Sequence, residues 1–187
     1  EAELDRLYER RSADHQRYAR ANRGAIVSMC RARGLAIASH DDTTLDHVAQ
    51  AAAEGIAISE FPTTLDAARL ARERRMAVVM GAPNVVLGGS HCGNVSARAL
   101  AADGLVDGLA SDYVPISLID ACRICRDTVG LTLPEAVAIV TANPAAMVGL
   151  DDRGMIAPGA RADLIRVQEV GETFVIRTVW SGGRVVA

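Results

Sequence analysis

Four side chains able to ligate a metal ion or move a proton, His40, Glu60, His91 and Asp112, each stand at or just past the end of a short apolar run. Imidazole and carboxylate are the groups that bind Zn²⁺ and similar ions, and they also serve as general acids and bases. Between them lies "GAPNVVLGGSHCGNVSA", residues 81–97, unusually rich in glycine and small polar residues for a segment that follows a buried strand. Backbone N–H groups around Gly88 and Gly89, with side-chain donors from Ser90, His91 and Asn94, can wrap a cluster of anionic oxygens. The other role open to these glycines is a tight lid with His91 packed against it.

One grammar repeated along the chain sets these residues on a common edge. A charged helix-like segment, 1–33, ends at Gly34, and "LAIAS" then reads as a buried strand stopping at His40. "DDTTLDHVAQAAAEG" carries capping residues and helical spacing, and "IAIS" gives a second strand ending at Glu60. "PTTLDAARLARERR" is a third helix, "MAVVM" the third strand, "SARALAADG" a short helix and "LVDGLAS" the fourth strand, ending at Asp112. Short apolar strands alternating with helices predict parallel strands joined by right-handed crossovers, an α/β fold. No internal sequence identity is read at a fixed period. The carboxyl ends of such strands carry the site in open sheets and in (β/α) barrels alike, because loops vary there without disturbing the core.

Beyond Asp112, "PISLIDACRICRDTVG" and "LPEAVAIVTANPAAMVG" read as helices, the second broken by Pro144. "RADLIRVQ", "TFVIRTVWSGG" and "RVVA" read as strands. The organisation expected is a body over 1–150 and a small β segment over 151–187.

Each candidate has a structural role beside the chemical one. His40 can be a hydrogen-bonded strand-end residue, Glu60 can cap the turn at Phe61 and Pro62, and Asp112 can start a helix. Their shared edge favours a joint function. "CRIC" at 122–125, a single Cys-x-x-Cys on a helix with no second pair, points to packing rather than zinc.

Composition narrows the partners. At 187 residues, half of them hydrophobic, the chain can bury a substantial core. A formal net charge of -3 leaves no basic surplus for nucleic acid, although all 20 basic residues are Arg. No apolar run reaches the roughly 20 residues of a membrane span, and residues 1–20 do not resemble a signal peptide, so a cytoplasmic location is expected. Cys30, Cys92, Cys122 and Cys125 are too sparse for a disulfide framework and are expected reduced. A start at Glu1, inside a helical pattern, reads as a piece of a longer protein.

The segments "ASHDDTT", "SEFPTT", "MGAPNVVLGGSHCGNVSA", "ASDYVP" and "TANPAAMVGLDDRGMIAPGARADLIRV", in that order, resemble the C-terminal half of the amidohydrolase superfamily, and within it the branch of phosphonate-degrading diphosphatases. The resemblance implies strands five to eight of a metal-dependent (β/α)8 barrel with a small C-terminal β segment. It makes His40 and Asp112 metal ligands, with Glu60 standing where a second His is usual. The ion implied is divalent, with zinc the leading candidate. Asp112 would accept a proton from the attacking water and return it to the leaving group, and His91 is the second catalytic residue. The substrate implied is a ribose methylphosphonate bearing a triphosphate, held at Gly88, Gly89, Ser90 and Asn94, and the reaction releases diphosphate and leaves the sugar monophosphate. The superfamily's His-x-His pair has no counterpart here and the chain has no Lys, so the first half of the barrel is expected to be missing. Two other readings stay open: a carbon–nitrogen hydrolase of the same superfamily, deaminase or dihydroorotase-like, and an inactive half-barrel held together as a homo-oligomer.

Overall fold

The computed structural model describes residues 2–90 and 93–187. Contacts divide the chain into two units, Glu1–Ile37 and Ala38–Ala187. The first unit is dominated by α1 (Ala2–Ala32), whose first turn carries Glu3 and Asp5 and whose last turn carries Arg31. Those charges oppose the partial charges at the two helix ends.

In the second unit β1 (Ala38–His40), β2 (Ile58–Glu60), β3 (Ala77–Gly81) and β4 (Gly108–Ala110) form a parallel sheet in the order β1-β2-β3-β4. Strands laid down in sequence order by right-handed crossovers keep all their helices on one side of the sheet, which is barrel winding and not a doubly wound sheet. The crossover helices are α2 (Leu45–Ala53), α3 (Leu65–Glu73) and α5 (Ala97–Ala102). Their inner faces are mostly alanine, with Ala51, Ala67, Ala68, Ala71 and Ala97 fully buried, so the helices approach the sheet closely. Val48, Met76, Val78, Val85 and Leu100 fill the layer between, each worth about 1.5–3 kcal/mol on burial.

The loops at the carboxyl edge are built by the sequence itself. Thr44 caps α2 by accepting from the His47 amide, and Thr64 caps α3 by accepting from the Ala67 amide. Ser96 caps α5 in the same way through Ala99. The segments 39–55 and 59–75 in fact repeat at a spacing of 20 residues: Ser39 matches Ser59, "TTLD" recurs, and Asp41 and Phe61 both adopt positive φ, 58° and 56°. The two copies touch through Thr63 Oγ1 donating to Thr43 Oγ1 at 3.0 Å and Thr64 Oγ1 donating to the Thr43 carbonyl at 3.1 Å. Beyond Ser39/Ser59 and the shared "TTLD" the two copies have largely diverged, so the period rests on few identities.

Two further expectations are revised. Residues 82–87, read as the start of a loop, form α4 (Ala82–Leu87), with Pro83 in its first turn and Gly88 closing it at φ 83°. Proline is favoured at that first turn because its missing N–H would have had no intrahelical partner. The break in the helix at 133–149 lies before Pro144 and not at it: α7 (Leu133–Ala138) ends, and α8 (Ala142–Met147) starts with Pro144 in its first turn.

α6 (Ser117–Ile124) runs into a π-helical turn, Cys125–Val129. β5 (Leu164–Val170), β6 (Thr173–Ser181) and β7 (Arg184–Val185) form a separate antiparallel sheet in the order β5-β6-β7. Arg126 of the π turn joins it, donating to both Glu169 carboxylate oxygens, at 3.0 and 2.6 Å, and lying 5.1 Å from the Phe174 ring centre. The boundary expected at 150/151 therefore separates the parallel sheet from the antiparallel one, and both lie within the second unit.

Candidate functional site

His40 is the last residue of β1 and Glu60 the last of β2, and the two are register partners. Register partners on adjacent parallel strands point to the same face, their backbones about 4.8 Å apart. Asp112 follows β4 by two residues on the same edge, at φ 49°. Among the described non-glycine residues, positive φ occurs at Asp41, Phe61, Arg75 and Asp112, so three of the four lie directly beyond strand ends at this edge. Such backbone costs on the order of 1–3 kcal/mol and persists where surrounding structure enforces it, most often at functional sites.

The imidazole of His40 is held from two sides. Asp41 Oδ2 lies 3.1 Å from Nδ1, and the Phe61 ring meets the imidazole edge-on with centroids 5.2 Å apart. With Nδ1–H directed to a carboxylate, Nε2 is the nitrogen left for a ligand or a proton. Beneath this pair, buried Asp42 accepts from Ser39 Oγ at 2.5 Å and Ser59 Oγ at 2.8 Å, tying β1 to β2 one residue before His40 and Glu60.

A cleft of about 280 Å³ opens beside these strand ends. It brings Asp112 together with Gly89, Ser90 and Asn94, and Gly88 precedes that stretch as the cap of α4. Asp41 and Asn84 add polar groups to the rim, whereas Phe61, Pro62, Met80, Pro83 and Leu87 give it an apolar wall and Tyr113 flanks Asp112. His40 and Glu60 do not line the cleft. His91, expected to be catalytic together with Asp112, lies outside the described residues.

An imidazole with two carboxylates is chemically suited to a divalent ion such as zinc. Among the described residues, however, no three His, Cys, Asp or Glu side chains gather into a group that could hold one. His40 and Glu60 are neighbours, while Asp112 belongs to the cleft. The described residues therefore do not by themselves close a metal site.

Sequence reasoning passed over Asp41, Phe61, Asn84 and Arg98. The matched offset of Asp41 and Phe61 after strand-ending residues was available as a signal, and so was Pro83 opening a helix. Nothing in the sequence marks Asn84 or Arg98, which act across a gap of more than ten residues. The "CRIC" pair is core: Cys122 and Cys125 are buried, and the Cys122 thiol donates to the Ala136 carbonyl at 3.2 Å. Burial pushes the Cys122 thiol up to about 11 and raises Cys125 as well, the latter opposed by the charge of Arg98. Such thiols are poor metal ligands.

Comparison with known proteins agrees with this architecture. The chain is 47% identical over 186 residues to the alpha-D-ribose 1-methylphosphonate 5-triphosphate diphosphatase of Escherichia coli (strain K12), covering 98% of this chain and 49% of that protein. It is 30% identical over 151 residues to an adenine deaminase of Nitratidesulfovibrio vulgaris, covering 79% of this chain and 23% of the relative. The chain thus spans half or less of the length of these curated relatives. Among solved structures, the A. niger ochratoxinase shares the fold with a TM-score of 0.62 at 16% identity, over 87% of this chain and 44% of that one. The model of the amidohydrolase family, a family of metal-dependent enzymes, matches residues 18–186, and the chain belongs to that family.

Proposed function

We propose that this chain supplies the substrate cleft of a hydrolase of phosphonate catabolism that cleaves a ribose methylphosphonate triphosphate to the monophosphate and diphosphate. The observation that carries the reading is the convergence of Asp112 with Gly89, Ser90 and Asn94 in one cleft, a carboxylate facing small residues and hydrogen-bonding groups. The likeness to the E. coli diphosphatase supports the substrate class.

In this reading the triphosphate lies along Gly88, Gly89, Ser90 and Asn94, with the donors supplied by Gly89, Ser90 and Asn94, since the Gly88 amide already donates to the Asn84 carbonyl. Asp112 takes the proton from a water attacking the phosphorus nearest the ribose. The anhydride bond breaks, diphosphate leaves, and the proton returns to it from the Asp112 carboxyl. His91 is assigned to the same reaction. The apolar wall of Phe61, Pro62 and Met80 suits the uncharged faces of the sugar. His40 and Glu60 are the pair this chain would contribute to a divalent metal, zinc by preference, with the remaining ligands coming from outside the described residues. No helix among the described residues is long and apolar enough to cross a membrane, and we place the enzyme in the cytoplasm.

The test is Asp112→Asn in the polypeptide that carries residues 1–187. The amide keeps the shape and removes the proton acceptor, so diphosphate release falls about 10²-fold or more. Release within a few-fold of the parent overturns the role of Asp112. Ammonia released from a purine, with no diphosphate from the triphosphate, would move the chain to the deaminase reading that the second relative supports.

A further inference from the structure

The glycine-rich segment begins in an electrostatically adverse place. Gly88 closes α4, so the residues expected to meet phosphate oxygens follow the carbonyl end of a helix. The last carbonyls of a helix have no intrahelical donors and carry partial negative charge, which repels an anion. The N–H of Gly88 goes to Asn84 O, leaving the carbonyls of Val85 and Val86 to be satisfied otherwise.

Arg98, on α5, satisfies both. Its Nε donates to Val85 O at 2.6 Å and its Nη2 donates to Val86 O at 2.9 Å. The guanidinium also lies flat under the start of the segment: a Cβ added to Gly88 would stand 3.3 Å from both Cζ and Nη1. No carboxylate among the described residues forms an ion pair with Arg98. Its charge is therefore spent on carbonyl dipoles and not cancelled by an acid. A second clasp closes the neck of the segment, because Asn84 Oδ1 accepts from the Ala97 amide at 3.0 Å and the Val95 amide donates to Thr63 O at 2.9 Å.

We propose that Arg98 is the positioning residue of the phosphate-binding segment: by capping the carbonyl end of α4 with a charged fork, it reverses the sign of the field at Gly88–Ser90 and admits a polyanion there. The inference rests on the cleft being the triphosphate site. Arg98 touches no substrate; it acts through the α4 carbonyls. A Lys cannot span two carbonyls as a fork but keeps the charge.

The experiment titrates inorganic triphosphate and orthophosphate into the polypeptide carrying residues 1–187, comparing the parent with Arg98→Gln and Arg98→Lys, with melting curves to confirm that each is folded. Arg98→Gln is expected to weaken triphosphate binding about tenfold, with a smaller loss for orthophosphate. Arg98→Lys regains most of the triphosphate affinity, a rescue that a merely structural role would not produce, and both differences shrink as salt is raised. Triphosphate affinity in Arg98→Gln within twofold of a parent that binds it overturns the inference alone. Equal losses in the Gln and Lys variants for both anions overturn it in favour of loop packing. A parent that does not bind triphosphate overturns the reading of the cleft, and this inference with it.

Discussion

Replacing Asp42 with Ala removes the buried carboxylate that joins β1 to β2 beneath the candidate site. Two hydroxyls donate to the same oxygen, Ser39 at 2.5 Å and Ser59 at 2.8 Å. Their fates differ. Ser39 Oγ also reaches the Ile58 carbonyl at 3.3 Å and keeps a partner, whereas the hydroxyl of fully buried Ser59 has no other hydrogen bond among the described residues. A hydrogen bond to a charged group contributes about 1.5–3 kcal/mol, and an orphaned buried hydroxyl costs about 1–3 kcal/mol. Part of this is offset because a carboxylate no longer has to be desolvated. The expected net loss is about 3 kcal/mol for Asp42→Ala, measured by urea unfolding of the polypeptide carrying residues 1–187. Adding Ser59→Ala to that variant should restore about 1 kcal/mol, since the orphaned group is then gone. A loss below about 0.5 kcal/mol, or a double variant no more stable than Asp42→Ala, refutes the view that this carboxylate braces the strand ends.

Gly154 sits at φ 89°, and a Cβ there would stand 2.9 Å from Ala142 Cα and 3.0 Å from the Thr141 carbonyl, neither of which can swing away. Gly154→Ala should therefore lower stability by about 3 kcal/mol in the same unfolding assay, and a change under about 1 kcal/mol would show that the 141–154 contact yields easily. Burial holds the folded Cys122 thiol at about 11, above its unfolded value, so its contribution to stability is complete below the unfolded value and is lost as pH rises toward 11. The parent should lose on the order of 2 kcal/mol more than Cys122→Ala between pH 8 and 11, and parallel declines in the two proteins would contradict this.

The elements that were legible from residues alone are those governed by local chemistry. Thr44, Thr64 and Ser96 each stand where a short side-chain oxygen can reach a first-turn amide and each caps a helix that was expected, although α3 opens at Thr64 and not at Pro62 and Thr63. The apolar strand ending at Glu60 was legible because a strand buried between its neighbours reads as a continuous hydrophobic run, whereas the strand ending at His40, expected to be buried, is a largely exposed edge strand of three residues. α4 was not, since six residues bounded by glycine hold too few turns to show a period.

What residue order determined is therefore the alternation of strand and helix, the edge on which His40, Glu60 and Asp112 fall, and the glycine-rich segment that follows β3. Which of them meet was decided only by tertiary structure. His40 pairs with Glu60 across adjacent strands, while Asp112 turns at positive φ into the cleft with Ser90 and Asn94. Arg98 reaches back 12 and 13 residues to the carbonyls of α4, and Asp42 gathers hydroxyls from two strands. Propensity and capping act within a few residues, so they are written locally. Partnerships of this kind depend on where the packed sheet carries each backbone, and no local pattern encodes that distance.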